Sequence, residues 1–220
     1  MIKFDSVSKV YKNESHENLI LSDVSIEFDS NAIHCITGSS GSGKTTLLNL
    51  IGCLDTDFSG EISIDNNQVS AIKNLELFRN IHIGFMFQSH NLLSQLTVRD
   101  NILLPAHIYA QDSDEVLGFM NNLLDYVGLI ERQNSFPSCL SGGERQRVAF
   151  VRSLINKPHI VVADEPTGNV DDKNSKIIVD LISKYNADYG QTFIVATHDK
   201  LVSESADFLY EINNMNCIKL

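Results

Sequence analysis

Apolar residues along this chain fall into short unbroken runs, separated by longer segments in which they recur every three or four positions. Runs rich in β-branched and aromatic residues at 32–36, 83–87, 160–163 and 193–196 predict buried strands, each ending at a small or polar residue. An open α/β sheet places its ligands at such carboxyl ends. Near the start, Lys3, Asp5 and Val7, then Val24, Ile26 and Phe28, alternate and predict a small antiparallel layer beside the main sheet. Val116, Phe119, Met120, Leu123, Leu124 and Val127 recur at helical spacing, with Gly128 as a stop. Ile178, Leu181, Ile182 and Tyr185 do the same after an acidic start at Asp171 and Asp172. Between 91 and 158 the pattern is helical, with no convincing strand. The predicted layout is one α/β domain over 1–220, with a helical lobe inserted at approximately 91–157.

Composition narrows the class. Hydrophobic residues make up 43% and charged residues 20%, enough for a substantial globular core. A formal net charge of −11 argues against nucleic acid as a partner. Cys35, Cys53, Cys139 and Cys217 form no CxxC pair and read as reduced thiols of a cytosolic protein. Charges within the first 13 residues exclude the apolar run of a signal peptide. No stretch approaches the ~18 uninterrupted apolar residues of a membrane helix, so any membrane role must come from a partner.

The strongest chemical signal is at Gly38, Ser39, Ser40, Gly41, Ser42, Gly43, Lys44 and Thr45, followed by Thr46. GSSGSGKT satisfies G-x-x-x-x-G-K-[ST], follows a predicted strand and opens an apolar helix (Leu47, Leu48, Leu50, Ile51). Glycines let backbone N–H groups close around phosphate oxygens, and the helix N-terminus adds positive potential. Lys44 would reach the β- and γ-phosphates, and the Thr45 hydroxyl would ligate Mg²⁺. A chance match in this length is on the order of one in a hundred. The apolar run at 160–163 leads into Asp164, a metal-binding acid, and Glu165, placed to polarise an attacking water. His198 and Gln88 end two further predicted strands. The first is a candidate γ-phosphate contact, and the second could reach Mg²⁺ or the water through its amide oxygen.

A second anion cradle is written into LSGGERQRVAF, which begins at Leu140. Ser141 and Glu144 form an S-x-x-E capping box, and Gly142 and Gly143 leave the first helical amides bare. Val148, Val151, Leu154 and Ile155 supply the apolar stripe of this helix, and Pro158 closes the segment. One triphosphate scarcely needs two such cradles from one subunit. A head-to-tail pair of chains would use both; a well-capped ordinary helix is the simpler alternative.

LSGGERQ resembles the signature motif of the ABC ATPases, with a phosphate loop before it and DEPTGNVD after it, in family order over nearly the whole chain. The resemblance implies a P-loop NTPase fold: a RecA-like core with an antiparallel β subdomain and an inserted helical subdomain. It also implies ATP and Mg²⁺ sandwiched between two copies of the chain, bound to integral membrane permease subunits at the cytoplasmic face of the inner membrane. By position, Lys44 and Thr45 bind phosphate and metal, and Gln88 is the Q-loop glutamine. Asp164 binds the metal, Glu165 is the catalytic base, Asp171 belongs to the D-loop and His198 is the switch histidine. Ser141 and Gly143 would contact the partner's γ-phosphate. Tyr11 falls where the family stacks an aromatic on adenine, although a tyrosine there is as often simple packing.

GFMFQSHNLLSQLTVRDNILLP (84–105) with ADEPTGNVD (163–171) looks like the group of lipoprotein-releasing ATPases, macrolide exporters and the cell-division ATPase. The run at 78–93 and the chain length are most similar to the lipoprotein-releasing subunit. The chain departs from that pattern at 213–216, where asparagines replace a Gly-containing turn; asparagine tolerates the left-handed conformation. A macrolide or antimicrobial-peptide exporter, or a cell-division ATPase that signals without transport, are the alternatives. Leu92, Leu93 and Leu96 read equally as a docking surface for the membrane partner and as core of the helical lobe.

Overall fold

The computed structural model describes residues 1–13, 16–108, 113–168 and 170–220. Strands β1 (Ile2–Asn13) and β2 (His16–Phe28) pair antiparallel, and β4 (Ser59–Ile64) and β5 (Asn67–Gln68) complete a four-stranded sheet in the order β2-β1-β4-β5. The predicted antiparallel layer is present, with one correction to its register. Ile2 and Phe4 are buried, and the pairing then shifts between Phe4 and Val7, where Ser6 takes φ 50°. Val7 therefore turns inward and does not continue the outward row of Lys3 and Asp5. An extra residue at a bulge reverses the face of everything after it. Ser6 N–H donating to Ser25 Oγ (3.0 Å) and Asp23 N–H to Ser8 Oγ (2.8 Å) hold the irregular stretch.

The second sheet has six strands. These are β3 (Ile33–Thr37), β6 (Ile83–Met86), β7 (Ile160–Asp164), β8 (Thr192–Ala196), β9 (Phe208–Asn213) and β10 (Asn216–Lys219), in the order β10-β9-β3-β8-β7-β6. Every pairing from β9 to β6 is parallel, and only β10 returns antiparallel. The four apolar runs of the sequence are β3, β6, β7 and β8, four consecutive parallel strands of this sheet. Such runs are apolar throughout because both faces of a parallel sheet are covered.

Helix α1 (Lys44–Ile51) lies between the two sheets. Its Leu47, Leu48, Leu50 and Ile51 join one buried cluster with Phe4, Val24 and Ile62 on one side and Ile36, Val162 and Ile194 on the other. The opposite face of the six-stranded sheet, through Cys35, Val161, Phe193 and Val195, is covered by helices. These are α3 (Val98–Ile108), α4 (Asp114–Tyr126), α5 (Gly142–Leu154), α6 (Asp172–Tyr189) and α7 (Lys200–Ser205); the short α2 (Leu75–His82) precedes β6. Residues of α3, α4 and α5 share a single cluster with that sheet face, so the helical segment has no core of its own. Cys35, Cys53 and Cys217 are buried, Cys139 is exposed, and all four are free thiols.

The turn joining β9 to β10 places both Asn214 (φ 49°) and Met215 (φ 63°) in the left-handed region. Asparagine adopts this readily, but methionine does not. Met215 is anchored there because its carbonyl accepts from the Ser22 N–H (2.8 Å), tying the hairpin to β2.

Candidate nucleotide site

Thr37 ends β3, and the chain enters a loop whose glycines carry its shape. Gly38 has φ 150°, and a Cβ there would stand 2.7 Å from Ser42 Oγ and 2.8 Å from the Ile212 carbonyl. Gly43, at φ 107°, is the N-cap of α1. No L-residue side chain suits those two positions. Lys44 folds back so that its ammonium donates to the carbonyls of Gly38 (2.8 Å) and Ser39 (3.0 Å). A cation is thereby held over a loop at a helix N-terminus.

The end of β7 comes to the same place. Thr45 Oγ1 donates to Asp164 Oδ2 at 2.7 Å, linking the first turn of α1 to the far strand. Asp164 is 9% exposed. Burial pushes its pKa above the ordinary carboxylate value, the Thr45 hydrogen bond opposes this, neighbouring Glu165 adds to the rise, and Lys44 counters it. A divalent cation would relieve that cost of ionisation. The Thr45 hydroxyl, the Asp164 carboxylate and the Gln88 amide form an all-oxygen donor set of the kind Mg²⁺ takes.

Glu165 follows in a left-handed backbone conformation, φ 48°. Its N–H donates to the Ala196 carbonyl (2.8 Å), and its own carbonyl accepts from Gln146 Nε2 (2.9 Å). Strain of this kind persists only where surrounding contacts over-determine the geometry. Oε2 of the carboxylate accepts from Thr197 Oγ1 at 2.9 Å, and Oε1 lies 2.9 Å from His198 Nδ1. The His198 ring is otherwise open, its side chain 84% exposed.

These groups line one cavity of about 860 Å³. Gly38, Ser40, Gly41, Gly43, Lys44, Thr45 and Thr46 form one wall, and Gln88, Asp164, Glu165 and His198 another. β6 stops at Met86, and Gln88 reaches the cavity from the segment beyond it. Ser39 and Ser42 belong to the loop but not to the lining, and the Ser42 hydroxyl is buried. Tyr11 is not on the wall either: its hydroxyl donates to Asp55 Oδ2 (3.3 Å), and the Lys9 ammonium sits 4.8 Å from its ring centre.

Ser141, Gly142 and Gly143 also lie outside this cavity. The capping box forms in both directions: Glu144 N–H donates to Ser141 Oγ (3.2 Å), and Ser141 N–H to Glu144 Oε2 (2.8 Å). Asp171 similarly caps α6, accepting from the Asn174 N–H at 2.9 Å. Two groups that motif reading missed bear on the site. Gln146, 1% exposed, donates to the carbonyls of both Glu165 and Pro166, and Thr197 holds the Glu165 carboxylate. Gln146 stands inside LSGGERQ, but only the packing of α5 against the end of β7 gives it a partner. Arg152 of α5 donates to the carbonyls of His90 and Asn91, both at 2.7 Å, and pins the segment after Gln88.

Comparison with known proteins gives a consistent picture. A family profile described as ABC transporter matches residues 21–168. The chain is 38% identical over 216 residues to the lipoprotein-releasing system ATP-binding protein LolD of Buchnera aphidicola, covering 97% of this chain and 95% of that one. It is 42% identical over 212 residues to the macrolide export ATP-binding/permease protein MacB of Rhodopirellula baltica, covering 94% of this chain but 31% of that longer protein. Among solved structures, the dimeric post-hydrolysis state of the ATP-binding cassette MJ0796 bound to ADP and Pi superposes with a TM-score of 0.93. That match is at 34% identity and covers 100% of this chain and 99% of the other.

Proposed function

We propose, from the premise that this chain belongs to the ABC transporter family and is an ATP-hydrolysing subunit, that two copies sandwich two ATP molecules and drive a membrane permease that releases lipoproteins from the inner membrane. The observation that carries the catalytic part is the single cavity uniting the Lys44 loop with Asp164, Glu165, Gln88 and His198. The loop amides and Lys44 bind the β- and γ-phosphates, and Tyr11 stacks on the adenine. Thr45, Asp164 and Gln88 hold Mg²⁺, which when bound neutralises charge on those phosphates. Glu165 accepts a proton as the water oxygen bonds to the γ-phosphorus and the bond to the bridging oxygen breaks, its electron pair leaving with ADP. His198 contacts the γ-phosphate. Ser141, Gly142 and Gly143 of the second copy close over that phosphate from the other side.

Among the described residues no helix is long and apolar enough to cross a membrane. In the proposed assembly the permease supplies the membrane span, and this chain binds it peripherally from the cytoplasmic face. The segment after Gln88 presents a mixed surface. Leu92 packs on the core, whereas Leu93 is 44% exposed. Beside it an apolar groove runs past Leu54, Phe85, Phe87, Leu104 and Ile108. A cytoplasmic segment of the permease docks there.

Near full-length likeness to a lipoprotein-releasing subunit supports the cargo assignment. The macrolide exporter is the second reading, supported by the likeness to MacB over 94% of this chain. Depleting the protein from cells separates them. Lipoproteins accumulating at the inner membrane are expected; normal lipoprotein sorting with new macrolide sensitivity would overturn the first reading in favour of the second. Copurification from native membranes identifies the permease in the same cells.

A further inference from the structure

Thr197 stands between Ala196, which ends β8, and His198. It is 1% exposed, and its amide donates to the Ile36 carbonyl (3.1 Å), fixing it to β3 at the centre of the sheet. Its hydroxyl oxygen accepts from the Asp199 N–H at 3.1 Å. Its one proton is thus left for Glu165 Oε2, 2.9 Å away, since an ionised carboxylate can only accept. Glu165 is gripped at both ends by the same stretch of chain, its amide by the Ala196 carbonyl and its carboxylate by Thr197. Neither its left-handed backbone nor its side chain is free to drift.

We propose that Thr197 is a positioning residue for ATP hydrolysis: its hydroxyl occupies Glu165 Oε2, so that Oε1, beside His198 Nδ1, is the oxygen that takes the proton of the attacking water. The inference rests on the reading of Glu165 as the base. Thr197 itself is absent from the cavity wall. Its removal should therefore act on the chemical step and leave nucleotide binding alone. The carboxylate would gain rotational freedom, and a base turned away from its water loses the advantage of fixed orientation.

The test uses the full chain, with steady-state ATP hydrolysis measured alongside binding of a non-hydrolysable ATP analogue. Thr197→Val, which keeps the shape and removes the hydroxyl, should lower kcat about tenfold while KM and analogue affinity stay within about twofold. Thr197→Ser restores the hydroxyl and should bring kcat back to within about threefold of the parent. Should Thr197→Val melt before the assay temperature, Thr197→Ala carries the same expectation with less bulk. A kcat within about twofold of the parent in the hydroxyl-free variant overturns the proposal, as does a serine variant as slow as the valine one. Glu165→Gln distinguishes the two layers. Full turnover in that variant removes the base assignment itself, whereas an inactive Glu165→Gln beside a normal Thr197→Val removes only the role of Thr197. Adding Thr197→Val to Glu165→Gln should change nothing further.

Discussion

The two anion cradles proposed for this chain use the same device, glycine-bared amides at a helix N-terminus, and differ in what stands opposite them. Across from the α1 cradle lies the end of β7, with Asp164 hydrogen-bonded to Thr45 and Glu165 one residue on. The Lys44 ammonium and the proposed metal ligands and base meet there in one cavity. The α5 cradle has its own cap in place, with Ser141 exposed and tied to Glu144, and lies outside that cavity. In the proposed function one cradle is therefore the reaction site, whereas the other offers only donors. In the proposed sandwich it becomes useful by facing a second chain.

The largest expected effect breaks chemistry without breaking binding. Glu165→Gln should cut turnover by about a thousandfold while ATP stays bound and the dimer lives longer on a sizing column. Monomeric elution of that variant with ATP would count against the sandwich. Lys44→Ala should do the reverse at the same cradle, weakening ATP binding roughly 100-fold by loss of a charge-assisted contact. Unchanged affinity and turnover would remove the phosphate-loop assignment.

Mixing sharpens the comparison more directly. Lys44→Ala and Ser141→Arg chains should each be inactive alone, since every composite site then contains one damaged cradle. Combined in equal amounts, they should recover up to about a quarter of parental activity, because half the dimers hold one intact site of the two. No recovery would mean that both cradles serve the same chain. Ser141→Ala should cost about 1 kcal/mol in chemical unfolding as the loss of a helix cap, independently of nucleotide.

The smallest prediction touches the scaffold beneath both. His34 on β3 is fully buried between the Tyr210 hydroxyl (3.1 Å) and the Asp29 carbonyl (2.8 Å). Burial lowers its pKa, only partly offset by the hydrogen bond to Asp29 and that residue's charge. The folded state then binds fewer protons than the unfolded one. The associated stability is complete above the ordinary histidine pKa of about 6.5 and fades as pH falls below it. His34→Gln should flatten the decline in melting temperature between neutral and acid pH. An unaltered acid slope would assign the loss to other groups.

Local features were legible in advance. The capping box from Ser141 to Glu144 spans four residues, the phosphate loop eight, and β6, β7 and β8 each begin as short, largely apolar runs. Such signals depend on neighbours along the chain, so reading order is enough. The bulge at Ser6 was not legible, because serine has no marked preference for φ 50° and only bonds across the strands, Ser6 to Ser25 and Asp23 to Ser8, make it tolerable. Tyr11 was legible as a candidate, but its hydrogen bond to Asp55 depends on a loop over 40 residues away.

Sequence alone determined that this chain carries an α/β nucleotide-binding fold, and it picked out the phosphate loop, the acid pair and the N-terminus of the Ser141 helix as candidates. Tertiary structure decided which of these meet. Parallel strand order brings β7 beside β8 and sets Thr197 against Glu165 across 32 residues, while the packing of α5 on the end of β7 sets Gln146 against the same backbone across 19. A hydrogen bond between remote residues leaves no periodic trace, because either side chain could satisfy its polarity in water. Only the burial of Thr197 and Gln146 makes the partnerships necessary.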